Sequence, residues 1–293
     1  MEGYPFELVE ARISSPVLIA VPHAGRAYSE DILAAMRNPD QACLRLEDRH
    51  VDTLAQDVVR RTGGALLTAR APRALLDLNR APDDVDWGMV VGGTKERTRH
   101  SLVNRRARSG LGLVPRRLPG MGEIWRAPID RAELDRRIET VHRPYHEALS
   151  RRLQALRDDW GAAFLIDLHS MPPLVSRHPE EEPAEFVIGD RFGASCSDAI
   201  VARSLRYFAA ADRRVAHNRP YSGGYVLDRH AAPGRGIHAL QIEVCRSTYL
   251  CANLDQPSAR LANIGRLLAG LVRDLSGEIA RLGEMRGFAQ AAE

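Results

Sequence analysis

Two histidines stand at the ends of apolar, strand-length runs. Pro22-His23-Ala24-Gly25 follows Pro16-Val-Leu-Ile-Ala-Val21, and Asp167-Leu168-His169-Ser170 closes the run that begins Ala163-Phe-Leu-Ile. In open α/β sheets, ligands bind in the crevice outside the carboxyl ends of the strands, so two imidazoles there can converge on one ion. A hydrolytic zinc needs a third protein ligand, commonly a carboxylate when two are histidines, and a position open to water. Glu47-Asp48-Arg49-His50-Val51-Asp52 is the acidic cluster able to supply that ligand. By spacing alone it reads equally as a solvated helix start whose acids favour the helix dipole. Glu243 sits between Ile242 and Val244. A carboxylate in such a run is costly unless paired or catalytic, and it suits a general base beside an activated water.

Two further segments carry polar groups at turns. Asp77-Leu-Asn-Arg80 after Ala74-Leu-Leu reads as a strand that ends by presenting Asn79 and Arg80. The guanidinium could hold a substrate carboxylate in a fork, or form a surface salt bridge. In His217-Asn-Arg-Pro-Tyr-Ser-Gly-Gly-Tyr225, Gly223 and Gly224 allow backbone N–H groups to approach a ligand, as they would in any tight turn. The chain has no GxSxG elbow, no GxxxxGK[ST] loop, no GxGxxG after a strand and no HExxH helix, which lowers serine hydrolases, P-loop enzymes and Rossmann dehydrogenases.

The elements that must position these groups alternate. Strands are expected at Pro16–Val21, Ala163–Asp167 and His238–Val244. Helices are expected over Arg45–Arg61, Ile129–Trp160, Ser195–Ala211 and Pro257–Met285. That order predicts an α/β fold with a largely parallel or mixed sheet covered on both faces. Leu134, Ile138, Val141, Tyr145, Leu149, Leu153 and Leu156 form one helical stripe, with Asp130 placed to cap it. Leu261, Ile264, Leu267, Leu268, Leu271, Leu275 and Ile279 form another. Residues 81–121 are rich in Gly, Pro and Asp and are expected to be a long functional loop. Without a linker sharp enough to divide the chain, 1–293 reads as a single catalytic domain.

Composition narrows the class. With 293 residues, 44% apolar and 27% charged, the chain is neither disordered nor a disulfide miniprotein. A formal charge of +3 implies no nucleic-acid partner, and Lys95 is the single lysine among the basic residues. Cys43, Cys196, Cys245 and Cys251 make no CxxC pair and read as free thiols of a reducing compartment. The amino-terminal segment lacks a basic stretch followed by an apolar one, and no run approaches the ~20 apolar residues of a membrane span. A cytoplasmic protein with a small-molecule substrate and no membrane partner is expected; the oligomeric state is not legible.

Taken in order, PHAG at 22–25, EDRHVD at 47–52, DLNR at 77–80, RSGLG at 108–112, RPYHEAL at 143–149, DLHSMP at 167–172, GDRFG at 189–193, NRPYSGGY at 218–225 and QIEVCR at 241–246 form a specific set. Over about Pro16 to Tyr249 this set resembles the N-formylglutamate amidohydrolase family. The resemblance implies a three-layer α/β/α fold with a mixed central sheet, of the zinc-carboxypeptidase (phosphorylase/hydrolase-like) kind. It implies a zinc-dependent hydrolase that releases formate from N-formyl-L-glutamate at the end of histidine degradation. His23, Asp48 and His169 are then the metal ligands, Glu243 is the catalytic carboxylate, and Asn79, Arg80, Arg246, Gly223 and Gly224 fall on the substrate side. Glu47 stands where the family usually has a threonine, so Glu47 and Asp48 both remain open as the third ligand. Cys245 stands where a polar residue is more usual. The alternatives are a deacylase or carboxypeptidase-like hydrolase acting on another N-acyl amino acid and, from another class, a non-catalytic protein that binds an amino-acid derivative.

Overall fold

The computed structural model describes residues 4–92, 106–175, 180 and 182–291. Its strands are β1 (Phe6–Val9), β2 (Val17–Val21), β3 (Ala65–Ala69), β4 (Val90–Val91), β5 (Arg117–Leu118), β6 (Gly122–Glu123), β7 (Ile129–Asp130), β8 (Ala163–Met171), β9 (Phe186–Gly189), β10 (Val215–His217) and β11 (Ile237–Cys245). Its α-helices are α1 (Glu30–Ala35), α2 (Pro39–Leu46), α3 (Val51–Thr62), α4 (Arg131–Arg137), α5 (Arg143–Trp160), α6 (Asp198–Ala210), α7 (Tyr225–His230) and α8 (Leu261–Ala291). Seven strands form one sheet in the order β1-β3-β2-β8-β11-β9-β10. The β2–β8 and β8–β11 pairs are parallel and β11–β9 is antiparallel, so the sheet is mixed. Every position of β2, β8, β9 and β11 is buried, as in strands covered on both faces. The expected α/β class with a mixed sheet is the one observed.

The described residues of Met1–Glu7, Pro22–Glu47 and Thr68–Ala148 form one compact unit, and those of Leu8–Val21, Asp48–Leu67 and Leu149–Glu293 form another. In the second unit α3 packs along α8, and the α8 stripe buries Ile264, Leu268, Leu271, Leu275 and Ile279. Of the stripe expected over 129–160, Leu134, Val141, Tyr145, Leu149, Leu153 and Leu156 are all buried.

Four expectations are corrected. The helix expected over Arg45–Arg61 is two helices, because His50 adopts a left-handed backbone (φ 56°) between α2 and α3. His50 Nε2 and the Arg49 guanidinium both lie on the Asp255 carbonyl, and Tyr249 Oη donates to the Arg49 carbonyl, which fixes this break. The helix expected over Ile129–Trp160 contains a π-helical turn at Ile138–His142, and Asp130 stands at its cap position without a side-chain capping bond. No strand precedes Asp77. The 74–80 backbone is irregular and buried, and its carbonyls are satisfied by Arg137 on Leu75, His146 on Leu78 and His142 on Arg80 rather than by a ladder. Finally, β8 does not stop at Asp167. Its ladder with β11 continues from Gln241 opposite Asp167 to Cys245 opposite Met171. Of the loop expected over 81–121, residues 93–105 lie outside the described residues; the remainder holds two short 3-10 turns, β4 and β5, the last paired with β6 just beyond it.

Candidate metal centre and active site

Extension of β8 through Met171 decides the local geometry. Side chains two apart on a strand share a face, so Asp167 and His169 point the same way. In the parallel register Gln241 lies opposite Asp167, and Glu243 opposite His169. Four polar side chains therefore form a buried block on the two central strands. Within it His169 Nε2 lies 2.9 Å from Asp167 Oδ2, and the Gln241 amide donates to Glu243 Oε1 at 2.9 Å. The other ring nitrogen, His169 Nδ1, lies 2.9 Å from Asp48 Oδ2. Burial pushes the His169 pKa down, but the Asp167 charge and its hydrogen bond, the bond to Asp48 and the Glu243 charge outweigh it, so the pKa stands well above the usual histidine range.

Asp48 reaches this position because the chain breaks at His50. A residue held in a left-handed conformation by several contacts is a common signature of a functional turn. Arg246, just beyond β11, touches the other Asp48 oxygen (Nη2 to Oδ1, 3.5 Å) and donates from Nε to Ser170 Oγ at 3.1 Å. Arg246 and His169 thus engage different oxygens of the Asp48 carboxylate.

His23 lies two residues past β2. Its Nε2 is 2.7 Å from Asp77 Oδ1, and both side chains are buried. Asp77 also accepts from the Asn79 backbone N–H (2.8 Å) and from Arg73 Nε (2.9 Å). Burial alone would raise the Asp77 pKa; Arg73 and His23 overcome that and hold it well below the usual carboxylate range. Gly25 explains the rest of the PHAG motif. A Cβ there would stand 2.0 Å from the Ala71 carbonyl oxygen, so only glycine permits the approach that seats His23.

Among the described residues, His23, Asp48 and His169 are the group able to hold a metal ion: all are buried, and their ligating atoms lie within 4.8 Å of one another. Two imidazoles and a carboxylate are the donor set of a catalytic zinc site with one position open, and each imidazole is backed by a further carboxylate. The residues fit such an ion. Glu47, the neighbouring acid, lies instead near the Tyr28 hydroxyl, whose ionisation burial and the Glu47 charge oppose.

The remaining predicted positions separate. Asn79 is buried beside Asp77. Arg80 is largely buried, with Nε donating to the Leu111 carbonyl (2.9 Å) and Nη1 to the Asn79 carbonyl (2.7 Å), so much of its fork engages backbone. Gly223 (φ 102°) packs on Arg191, which donates to the Gly223 carbonyl and forms a two-pronged ion pair with Asp228; Gly224 precedes α7. Sequence reading passed over Asp77, Asp167, Gln241, Arg73, His142 and His146. The Asp-x-His spacing at 167–169 was the available signal for Asp167, since period two places both on one strand face; nothing local marks Arg73.

The N-formylglutamate amidohydrolase family model matches residues 15–250. N-formylglutamate deformylase of Pseudomonas putida is 31% identical over 237 residues, 80% of this chain and 82% of that protein. The Pseudomonas aeruginosa deformylase is 27% identical over 277 residues, covering 92% and 95%. The crystal structure of N-formylglutamate amidohydrolase from Ralstonia eutropha JMP134 superposes with a TM-score of 0.84 at 29% identity, over 94% of this chain and 99% of that one.

Proposed function

The chain belongs to the N-formylglutamate amidohydrolase family, and from that premise we propose that it hydrolyses the formamide bond of N-formyl-L-glutamate to formate and L-glutamate. The convergence of His23, Asp48 and His169 beside the strand position of Glu243 carries this reading. These three side chains would hold one zinc ion, which when bound supplies Lewis acidity toward the formyl oxygen and toward water. Glu243 takes a proton from the attacking water as the new C–O bond forms and the carbonyl π bond opens, and returns it to the α-nitrogen as the tetrahedral adduct collapses and the C–N bond breaks. The Gln241 amide orients Glu243 through its hydrogen bond to Oε1. Asn79, Arg80, Arg246 and the Gly223–Gly224 turn are assigned to the substrate side, where guanidinium groups position carboxylates. The whole chain, 1–293, acts as one catalytic domain.

Four free thiols support a cytoplasmic setting, and the expected place in histidine breakdown rests on the substrate. Among the described residues no helix is long and apolar enough to cross a membrane.

The test is metal content of the purified protein together with formate release from N-formylglutamate and a panel of other N-acyl amino acids. One zinc per chain, formate release lost on chelation and restored by zinc, and loss of both metal and turnover in His169→Ala are expected. Stoichiometric metal in His169→Ala would reject this ligand set. Preference for another acyl group would favour the wider deacylase reading.

A further inference from the structure

We propose that Asp77 and Asp167 are positioning residues that hold both metal-facing imidazoles in one tautomer, and that Asp167 carries the greater electrostatic weight. The inference rests on the metal reading above. His23 Nε2 meets Asp77 Oδ1 at 2.7 Å, and His169 Nε2 meets Asp167 Oδ2 at 2.9 Å. A carboxylate only accepts, so each Nε2 donates a proton to its partner. His169 Nδ1 faces Asp48, a member of the same ligand group, at 2.9 Å, so Nδ1 is the nitrogen on the ion's side, and an ion bound there would take the place of the proton that Nδ1 otherwise shares with Asp48. Metal-binding histidines commonly donate their second N–H in this way, which fixes ring orientation and raises ligand basicity. Here the same device is built twice from unrelated local structure, an irregular turn at 77 and a strand interior at 167.

The two carboxylates differ in what surrounds them. Asp77 is ringed by donors: His23 Nε2, the Asn79 N–H, Arg73 Nε at 2.9 Å and Arg80 Nε at 3.9 Å. Its charge is largely offset by arginine before any ion arrives. Asp167 is equally buried, yet among the described residues its Oδ1 has no hydrogen-bond partner, and its Oδ2 is paired with His169. The Gln241 amide, its register neighbour, is turned toward Glu243. The Asp167 charge is therefore directed through one imidazole, in a low-dielectric interior where charge interactions are strong.

Asp77→Asn and Asp167→Asn keep the shape and can still accept from Nε2–H through the amide oxygen, while removing the charge. Zinc affinity measured by competition with a chromophoric chelator should fall about 10-fold in Asp77→Asn and about 100-fold in Asp167→Asn, within the range usual for groups behind a ligand. Unchanged affinity in both variants overturns the positioning role, and equal losses overturn the unequal weighting. A wild-type protein that binds no zinc would instead remove the metal reading itself, and this inference with it. Because Asp77→Asn also removes the charge that Arg73 pairs with, a second measurement uses wild-type protein alone. In cadmium-113-loaded, nitrogen-15-labelled protein, metal coupling should appear at Nδ1 of both His23 and His169, with Nε2 protonated. Coupling at Nε2 of either ring overturns the proposal.

Discussion

Glu243 and Arg80 set opposite problems at the scale of single residues. Glu243 is buried on β11 with one carboxylate oxygen held by the Gln241 amide, a placement that leaves it shape-constrained and chemically specific. Glu243→Gln can keep the Gln241 bond through its own amide oxygen but cannot take a proton from water. Turnover should therefore drop by roughly 10²–10⁴-fold with metal content and thermal stability unchanged. Near-normal turnover would return Glu243 to a structural role. Arg80 has already spent Nε and Nη1 on the Leu111 and Asn79 carbonyls. If it also reads the side-chain carboxylate of N-formylglutamate, Arg80→Lys should lower kcat/KM by about 1.5–3 kcal/mol for that substrate and much less for N-formylmethionine. Equal losses on the two substrates would make Arg80 a support of the 77–80 turn alone.

At the scale of elements, what holds the site together is the interruption of regular structure. The periodicity that predicts a helix over 45–61 is real, since Leu54, Ala55 and Val58 of α3 are buried, but it is blind to His50, whose left-handed backbone depends on contacts 200 residues away. The extent of β8 was hidden for a different reason. Asp167 and His169 look like the end of an apolar run, and become tolerable inside a strand only when Gln241 and Glu243 lie beside them on β11. By contrast, His23, His169 and Glu243 stand out in the sequence against apolar or turn-forming neighbours, whereas Asp48 is one of several charges in 47–52 and the sequence alone does not choose between it and Glu47. The 74–80 segment misled as a strand because its stabilising bonds come from Arg137, His142 and His146 on a distant helical stretch. Gly25 supplies an element-scale test. Gly25→Ala would drive a methyl group into the Ala71 carbonyl, and overpacking of this kind costs about 1–3 kcal/mol. Lowered thermal stability and weakened zinc binding should appear together, since the displaced loop carries His23. Wild-type zinc affinity in a destabilised Gly25→Ala protein would separate the loop from the site.

The stability of the whole molecule should carry a pH signature that has nothing to do with catalysis. His238 lies on β11 at the end away from Glu243, opposite Phe164 in the register, and its Nδ1 has no hydrogen-bond partner among the described residues. Burial, with a smaller push from Arg286, lowers its pKa from 6.5 to about 4. Between those values the unfolded chain holds a proton on this ring that the folded protein does not, so stability rises with pH through that window and is lost as pH falls. At pH 5 the loss assigned to this one group is about 2 kcal/mol relative to neutral pH, because roughly one and a half units of the window lie between 6.5 and pH 5 and each is worth about 1.36 kcal/mol. His238→Gln should flatten the decline by that amount. Urea unfolding midpoints near pH 7.5 and pH 5 measure it, and because the metal-facing residues are the same in both proteins, their own pH dependence cancels in the comparison. Parallel declines in the two proteins would mean that His238 gains its proton in the folded state as readily as in the unfolded one.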